Sequence, residues 1–228
     1  MIIDTHCHFD MMPNPEAFIQ QREQAGGIVI GMTNLPSHFR MSLPHVRGLK
    51  NVRLAIGLHP LRAAENKEEI YSFKKLVDET SYIGEIGLDF SREGCATKSQ
   101  QIDMLHKILF ALRGKKKIVS VHSRRAEKEL LDLLREYDTQ NVIFHWYSGP
   151  IRLIPEILEL GYYFSVNEAM TLSKNGNTII ENIPRERLLT ESDAPFNEKA
   201  DIKNTLNRLK LAEDEVCANF KRITRGLL

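Results

Sequence analysis

The sequence lacks a long hydrophobic run, and neither acidic nor basic residues prevail in it. No stretch of about 18 consecutive apolar residues occurs, so we expect no membrane segment. Asp4 and His6 interrupt the first apolar run, so we expect no secretory signal peptide. The 31 Lys and Arg residues balance 30 Asp and Glu residues. The net charge of +1 therefore excludes the overall basic surface of a non-specific nucleic-acid coat protein.

Cysteine is also scarce, with three residues that are widely spaced and form no CxxC pair (Cys7, Cys95 and Cys217). This pattern is typical of reduced thiols and excludes a disulfide framework, so we expect a cytoplasmic protein. The 228 residues suffice to bury a sizeable core. Because the chain shows no linker, internal repeat or low-complexity stretch, we interpret residues 1–228 as a single domain.

Short apolar segments alternate with amphipathic, helix-like stretches along the whole chain, as in MIID, GIVIGMT, VRLAIGLH, YIGEIGLD, KIVSVHS, NVIFHW, YYFSVN and RLLTESD. A polar residue ends each apolar segment, and successive ends lie 22 to 37 residues apart: His8, Thr33, His59, Glu85, His122, His145, Asn167 and Asp193. Such spacing fits one strand, a loop and a crossover helix.

Eight such units predict an α/β fold, namely a (β/α)8 TIM-type barrel. The alternative, an open doubly wound sheet, usually has a glycine-rich first turn, whereas HCHFD stands here. The chain is short for a barrel, which typically has about 250 residues. We therefore expect trimmed loops or a missing outer helix, with the shortening at the C-terminal end.

In a parallel barrel the strand ends converge on one face, so distant polar residues meet there. His6 and His8 leave the same side of the first strand, while Cys7 points away. The converging set comprises four imidazoles and two carboxylates: His6, His8, Glu85, His122, His145 and Asp193. These nitrogen and oxygen donors suit Zn²⁺, Mn²⁺, Mg²⁺ or Ni²⁺, and a bridging carboxylate favours two divalent metal ions.

Any one of these residues alone is a weak signal, because a strand-end histidine or aspartate often only anchors a loop. Together they form a strong one, since so many ionisable groups on one face repel each other unless cations neutralise them. We interpret His38, His45 and His106 as ordinary surface or packing residues. His59 has a strand-end position, and either substrate orientation or metal binding fits it.

The segments DTHCHFD, GLHP, GEIGLDF, VHSR, FHWYSG and TESDAP follow the order and spacing of a known family. From residue 1 to about 197 the chain resembles TatD-type metal-dependent deoxyribonucleases of the amidohydrolase-like barrel superfamily. PNPE, HSRRA, HWYSG and YYFSVNEAM most resemble the TatD-like proteins of Qat-type anti-phage defence operons. That narrower resemblance implies protein partners in a defence complex.

The family resemblance implies a division of labour among the site residues. One metal is expected on His6, His8 and Asp193, the second on His122 and His145, with Glu85 bridging them. His59 and Arg124 match positions near the substrate phosphate, and Asp89 matches a supporting position at the same mouth, so we group these three as substrate-binding residues. The implied substrate is DNA, single-stranded or with an accessible end.

Our mechanistic hypothesis is phosphodiester hydrolysis by a hydroxide generated at the two metals, with Asp193 accepting the proton of the water and Glu85 as its catalytic partner. Trp146, Tyr147 and Phe90 are candidates for stacking on an unpaired base, although core packing fits Trp146 equally well. Lys115, Lys116 and Lys117 precede a strand, so we place them at the opposite face of the barrel.

Two departures from the family pattern leave the substrate open. FNEKADIKNTLNRL is shorter than the family's loop, and ITRGLL replaces its Thr-x-x-Asn. Three alternatives therefore stand beside the deoxyribonuclease: an amidohydrolase or lactonase of the same superfamily, an enzyme acting on RNA or a modified nucleotide, and a non-catalytic metal-bound subunit. The amidohydrolase ranks second, because Glu85 stands where a carbamylated lysine would be expected.

Overall fold

The computed structural model describes residues 1–197 and 201–227, and its strands are all parallel to their neighbours. Eight strands occur in this part of the chain: β1 (Ile3–Cys7), β2 (Ile28–Gly31), β3 (Val52–Leu54), β4 (Tyr82–Asp89), β5 (Ile118–Arg124), β6 (Val142–His145), β7 (Tyr163–Val166) and β8 (Leu188–Thr190). Every predicted apolar segment thus overlaps one strand.

The strands pair in sequence order, β1 to β3 in one sheet and β4 to β8 in another. A parallel bridge between Ile56 and Ile83 joins the two sheets on one side. On the other side β8 meets β1, where the Thr5 hydroxyl donates to the carbonyl of Thr190 over 3.0 Å. The eight strands therefore form a ring, and the predicted (β/α)8 barrel is confirmed.

Each strand is followed by at least one helix, in the order α1 (Pro15–Ala25), α2 (Pro36–Val46), α3 (Pro60–Ala63) with α4 (Glu69–Leu76), α5 (Lys98–Leu112), α6 (Glu127–Glu136), α7 (Ile154–Glu159), α8 (Glu168–Leu172) with α9 (Lys174–Glu181), and α10 (Ile202–Leu209) with α11 (Glu213–Thr224). The chain is short because several helices have only one or two turns, and within the described residues no strand lacks its helix. The expected C-terminal shortening falls partly on residues 198–200, which lie outside the described residues.

The strands carry buried side chains on both faces, since one face lines the barrel interior and the other meets the helices. In α6, Leu130, Leu131 and Leu134 recur at helical spacing and are fully buried against the strands. No helix within the described ranges is long and apolar enough to cross a membrane.

The lysine run lies at the amino end of β5, opposite the predicted site. Lys115 makes a 2.8 Å ion pair with Asp78, and the Lys117 ammonium donates to the carbonyl of Thr80. The placement predicted for these lysines at the opposite face is confirmed.

Candidate metal centre

A cavity of about 830 Å³ opens at the carboxyl ends of the strands. Of the nine predicted site residues, eight line it: His8, His59, Glu85, Asp89, His122, Arg124, His145 and Asp193. The ninth, His6, is fully buried beneath its floor and stacks on His145, with ring centroids 3.8 Å apart. The structure therefore brings all nine predicted residues to one place.

His6 and His8 project into the barrel from the end of β1, and their Nε2 atoms lie 3.2 Å apart. Cys7 points away and is buried, with Sγ 3.7 Å from the carbonyl oxygen of Ala194. Strand alternation thus separates the thiol from the imidazoles, as predicted. Asp193, just after β8, brings Oδ1 to 3.7 Å from His6 Nε2 and 3.8 Å from His8 Nε2.

The carboxylate of Glu85 lies at the centre of the cluster. Its Oε1 lies 2.8 Å from His122 Nδ1 and 2.7 Å from His145 Nε2. Its Oε2 faces the Nε2 atoms of three other imidazoles, at 3.8 Å from His6, 3.4 Å from His8 and 3.6 Å from His59. Each oxygen of Glu85 therefore faces a different group of histidines.

Three overlapping sets of donor atoms are compact enough to hold a cation: His6 with His8 and Asp193, His6 with Glu85 and His145, and His59 with Glu85 and His122. The first set is the one that the family resemblance implies. The resemblance also implies that His122 and His145 hold the second metal together, but in the structure they belong to different sets. His145 stacks on His6, whereas the centroid of the His122 ring lies 5.8 Å from that of His145. In this arrangement both nitrogens of His122 are already engaged, by Glu85 and by Asp89 at 2.8 Å each.

Gly87 explains how β4 can approach β5 between Glu85 and Asp89. Its φ of 139° is one that residues with a side chain rarely adopt, and a Cβ built there would lie 2.1 Å from the His122 carbonyl oxygen. A side chain at this position would push β4 away from β5. Glycine therefore permits the close strand contact that aligns His122 with both carboxylates.

Burial and neighbouring charges lower the pKa of some side chains in the cluster and raise that of others. Burial lowers the pKa of His6 well below its usual range and that of His59 to about 4. Burial also lowers the pKa of His145, but the charges of Glu85 and Glu191 outweigh it and raise that pKa well above the usual range. Burial, supported by Glu191 and Glu85, raises the pKa of Asp193 to about 7, against the opposing charge of His145.

The carboxylates of Glu85 and Asp89 are held in the ionised form despite their burial. Burial raises the pKa of each, but the neighbouring imidazoles outweigh it: His145, His59 and His122 lower the pKa of Glu85 well below its usual range. Hydrogen bonds from His122 and Ser91 lower the pKa of Asp89 to about 2.

The substrate-binding candidates occupy different depths of the cavity. His59 begins α3, where its Nδ1 accepts a 3.2 Å hydrogen bond from the Leu61 amide. Asp89 is buried, and its two oxygens accept hydrogen bonds from His122 Nε2 and the Ser91 amide. Arg124 ends β5 and is exposed on the cavity wall. Asp89 thus holds His122 in place, whereas Arg124 is an exposed residue of the cavity lining.

The sequence analysis missed two polar groups that support the cluster. Ser120 lies two residues before His122 on β5, and its Oγ is 2.9 Å from His6 Nδ1. Glu191 is fully buried two residues before Asp193, and its Oε1 is 3.6 Å from His145 Nδ1. Ser165 and Asn167, from β7 and the residue after it, donate hydrogen bonds to the Glu191 carboxylate. The two-residue periodicity of strands was the signal for both, since residues at i−2 share a face.

The aromatic candidates separate into core and cavity residues. Tyr147 is buried in the core and donates to the carbonyl of Pro150, so the stacking hypothesis for it is wrong. Phe90 is half-buried with the Lys98 ammonium over its ring. Trp146, at φ 36°, leaves the strand geometry of β6, packs against the core and also lines the cavity. Phe196, which the sequence analysis did not single out, lies at the cavity mouth.

Known proteins resemble this chain over most of its length. The family model described as TatD-related DNase matches residues 3–222. The chain is 27% identical to the uncharacterized metal-dependent hydrolase MJ1582 of Methanocaldococcus jannaschii, over 94% of this chain and 87% of that protein. It is 21% identical to the human deoxyribonuclease TATDN3, over 85% of this chain and 78% of that protein.

The fold is likewise shared with a solved structure. The crystal structure of YjjV, a TatD homologue from Escherichia coli K12, superposes with a TM-score of 0.82 at 24% identity, covering 100% of this chain and 97% of that one. The family model spans almost the whole chain. The protein is a hydrolase that belongs to the TatD-related DNase family.

Proposed function

We propose that the protein hydrolyses phosphodiester bonds at the ends of DNA strands, with two divalent cations held around Glu85. The observation that carries this proposal is the central position of the Glu85 carboxylate, whose two oxygens face different groups of imidazoles. A carboxylate in that position is suited to bridge two cations. The deoxyribonuclease TATDN3 among the relatives supports DNA as the substrate.

The donor set fits such cations. The donors are imidazole nitrogens and carboxylate oxygens, which suit Zn²⁺, Mn²⁺, Mg²⁺ or Ni²⁺. Within the described part of the chain, these donors form sets whose ligand atoms are close enough together to hold a cation. His6, His8 and Asp193 would hold one cation, His122 and His145 the other, and Glu85 would contact both.

When bound, the cations lower the pKa of water toward neutrality and neutralise charge on the phosphate oxygens. Asp193 accepts the proton of the attacking water, because its carboxylate lies at the cavity wall beside His6 and His8. Asp89 fixes the orientation of His122 through a hydrogen bond to Nε2, so that Nδ1, which faces Glu85, is the nitrogen that would bind the cation. Arg124 binds phosphate oxygens with its paired N–H donors.

His59 acts on the substrate as a hydrogen-bond donor. Its Nδ1 accepts from the Leu61 amide, and burial lowers its pKa to about 4, so the neutral ring carries its proton on Nε2. That nitrogen faces the cavity 3.6 Å from Glu85 Oε2. An N–H at this position donates to a phosphate oxygen and has no lone pair for a metal.

The proposal is tested with purified protein loaded with Mg²⁺, Mn²⁺, Zn²⁺ or Ni²⁺, on end-labelled single-stranded DNA, duplex DNA and RNA of the same sequence. We expect mononucleotide release from DNA that is lost in Asp193→Asn and Glu85→Gln. His106→Ala is the matched control, because His106 bonds Tyr137 outside the cavity and should leave the rate unchanged. Equal rates in wild type and Asp193→Asn, or no release from any strand, would contradict the proposal.

We extend the proposal to anti-phage defence, with the protein acting among partners in a defence complex. The segments PNPE, HSRRA, HWYSG and YYFSVNEAM, which resemble the TatD-like proteins of Qat-type operons, support this extension. Phage plating on cells with the intact operon tests it. Replacement of the wild-type chain by Asp193→Asn should remove protection, and unchanged protection would refute a catalytic role in defence.

A further inference from the structure

An apolar wall, formed by the exposed side chains of Phe196 and Met11, lines the cavity that holds the candidate metal ligands. Phe196 is 59% exposed, and its ring lies edge-on to the His8 imidazole, with centroids 5.2 Å apart and planes at 84°. Met11, 44% exposed, lines the same cavity and follows His8 by three residues. Other exposed large hydrophobic side chains, such as Tyr71 and Phe110, lie on the outer helices. The wall is thus adjacent to the candidate metal ligands.

We propose that Phe196 and Met11 form a stacking site for the terminal base of an unpaired nucleic-acid strand. The proposal rests on the proposed function, because it assumes that a phosphate binds at the cluster around Glu85. In a nucleotide the base is separated from the phosphate by one sugar, and Phe196 is in direct contact with His8, one of the proposed ligands. A phosphate at the cluster therefore places the attached base near this wall.

The chemistry of the wall fits a nucleobase better than a purely apolar ligand. An aromatic ring offers a face to any base, and a thioether is polarizable and adapts to different ring shapes. The cavity of about 830 Å³ lies within the size range of small-ligand sites. Arg62 and Arg124 on the same cavity supply positive charge for the sugar–phosphate chain.

The apolar wall also favours an unpaired strand end over the end of a duplex. In a duplex the terminal base is paired and stacked on its neighbour, so a ring can approach its inner face only after the pair opens. An unpaired end offers that face at no such cost. Stacking tolerates every base, so the wall accepts an unpaired end of any sequence.

The test compares two single-stranded oligodeoxynucleotides that differ only in the residue at the cleaved end, which carries a base or is abasic. Phe196→Ala should lower kcat/KM for the base-bearing strand by roughly 5- to 150-fold, the loss expected for one stacked base. The abasic strand should be hydrolysed by Phe196→Ala and wild type at the same rate. Phe196→Trp should restore the preference, and quenching of a terminal 2-aminopurine by the wild type should disappear in Phe196→Ala.

Phe110→Ala is the matched control, because Phe110 is 61% exposed on α5 and lies outside the cavity. Phe110→Ala should leave kcat/KM unchanged for both the base-bearing and the abasic strand. If Phe196→Ala slows both strands equally, or neither, the stacking site is refuted while the nuclease stands. If the wild type hydrolyses no strand, the proposed function fails, and absence of 2-aminopurine quenching then refutes the stacking site as well.

Discussion

Glu191 and Glu85 lie on opposite sides of the His145 ring. Oε1 of Glu191 is 3.6 Å from Nδ1 of His145, and Oε1 of Glu85 is 2.7 Å from its Nε2. A histidine that binds a metal through one nitrogen usually donates the proton on the other to a carboxylate or carbonyl. Glu191 is fully buried and held by Ser165 and Asn167, so it can fix both the tautomer and the orientation of His145.

Glu191→Gln should therefore lower the affinity for Zn²⁺ by about 10- to 100-fold, the range typical of such supporting carboxylates. Competition with a chromophoric chelator measures this affinity without any turnover. Glu156→Gln is the control, since Glu156 is an exposed carboxylate paired with Arg135 on the surface. Unchanged Zn²⁺ affinity in Glu191→Gln would show that His145 does not depend on this carboxylate.

His59→Ala should reduce kcat/KM on DNA about tenfold or more while the number of bound metal ions stays the same. The reason is that Nδ1 of His59 already accepts from the Leu61 amide, so Nε2 donates to phosphate. A hydrogen bond to a charged group contributes roughly 1.5–3 kcal/mol. Metal analysis of the purified variant beside steady-state kinetics checks both statements. Loss of one metal equivalent would instead identify His59 as a ligand.

Asp4 should make the stability of the metal-free protein depend on pH. Burial raises its pKa to about 6, against hydrogen bonds from Ser192 that lower it. The folded state therefore binds this proton more tightly than the unfolded state, and the free energy of unfolding falls as pH rises from about 4 to 6. Asp4→Asn removes the charge and keeps an acceptor for the amides of His6 and Ser192.

Urea unfolding of Asp4→Asn and wild type in EDTA at pH 4, 5, 6 and 7 measures the effect. The variant should gain stability relative to wild type as pH rises, up to about 3 kcal/mol for a shift of about two pKa units. Asp4→Ala, which loses the acceptor as well, should be less stable than Asp4→Asn throughout. A difference between Asp4→Asn and wild type that does not vary with pH would contradict the assignment.

Metal binding should raise the melting temperature, because the donors come together only in the folded chain. At a Zn²⁺ concentration 100 times the Kd, the added stability is about 2.7 kcal/mol. Thermal unfolding with Zn²⁺ or EDTA should show the full shift in wild type and His106→Ala but a smaller one in His6→Ala and Asp193→Ala, which remove ligands of one cation. An undiminished shift in both ligand variants would mean that Zn²⁺ binds elsewhere.

The barrel and the candidate ligands could be predicted from sequence because each depends on a simple periodicity. Strands end at polar residues about every 25 positions, and alternation along β1 separates Cys7 from His6 and His8. Parallel strands then bring these ends together irrespective of the loops between them.

Other features depend on tertiary geometry that no local pattern reports. Tyr147 and Trp146 are neighbours in sequence, yet one packs in the core and the other also lines the cavity, because the backbone of Trp146 leaves the strand conformation. Phe196 follows β8 in a turn whose direction the sequence does not indicate. Asn167 ends a strand like the ligands, but its side chain caps α8 and bonds Glu191 instead.

The contact between β8 and β1 has a consequence for how the site is assembled during synthesis. The amide of Asp193 donates to the carbonyl of His6 over 2.9 Å, and that of His8 donates to the carbonyl of Ala194 over 2.7 Å. His6 and His8 are the first candidate ligands to be synthesised, and they gain these contacts only after Asp193, the last one, has been made. A fragment that ends before β8 carries His6, His8 and Glu85 without Asp193, so we expect complete metal affinity only after β8 has joined β1.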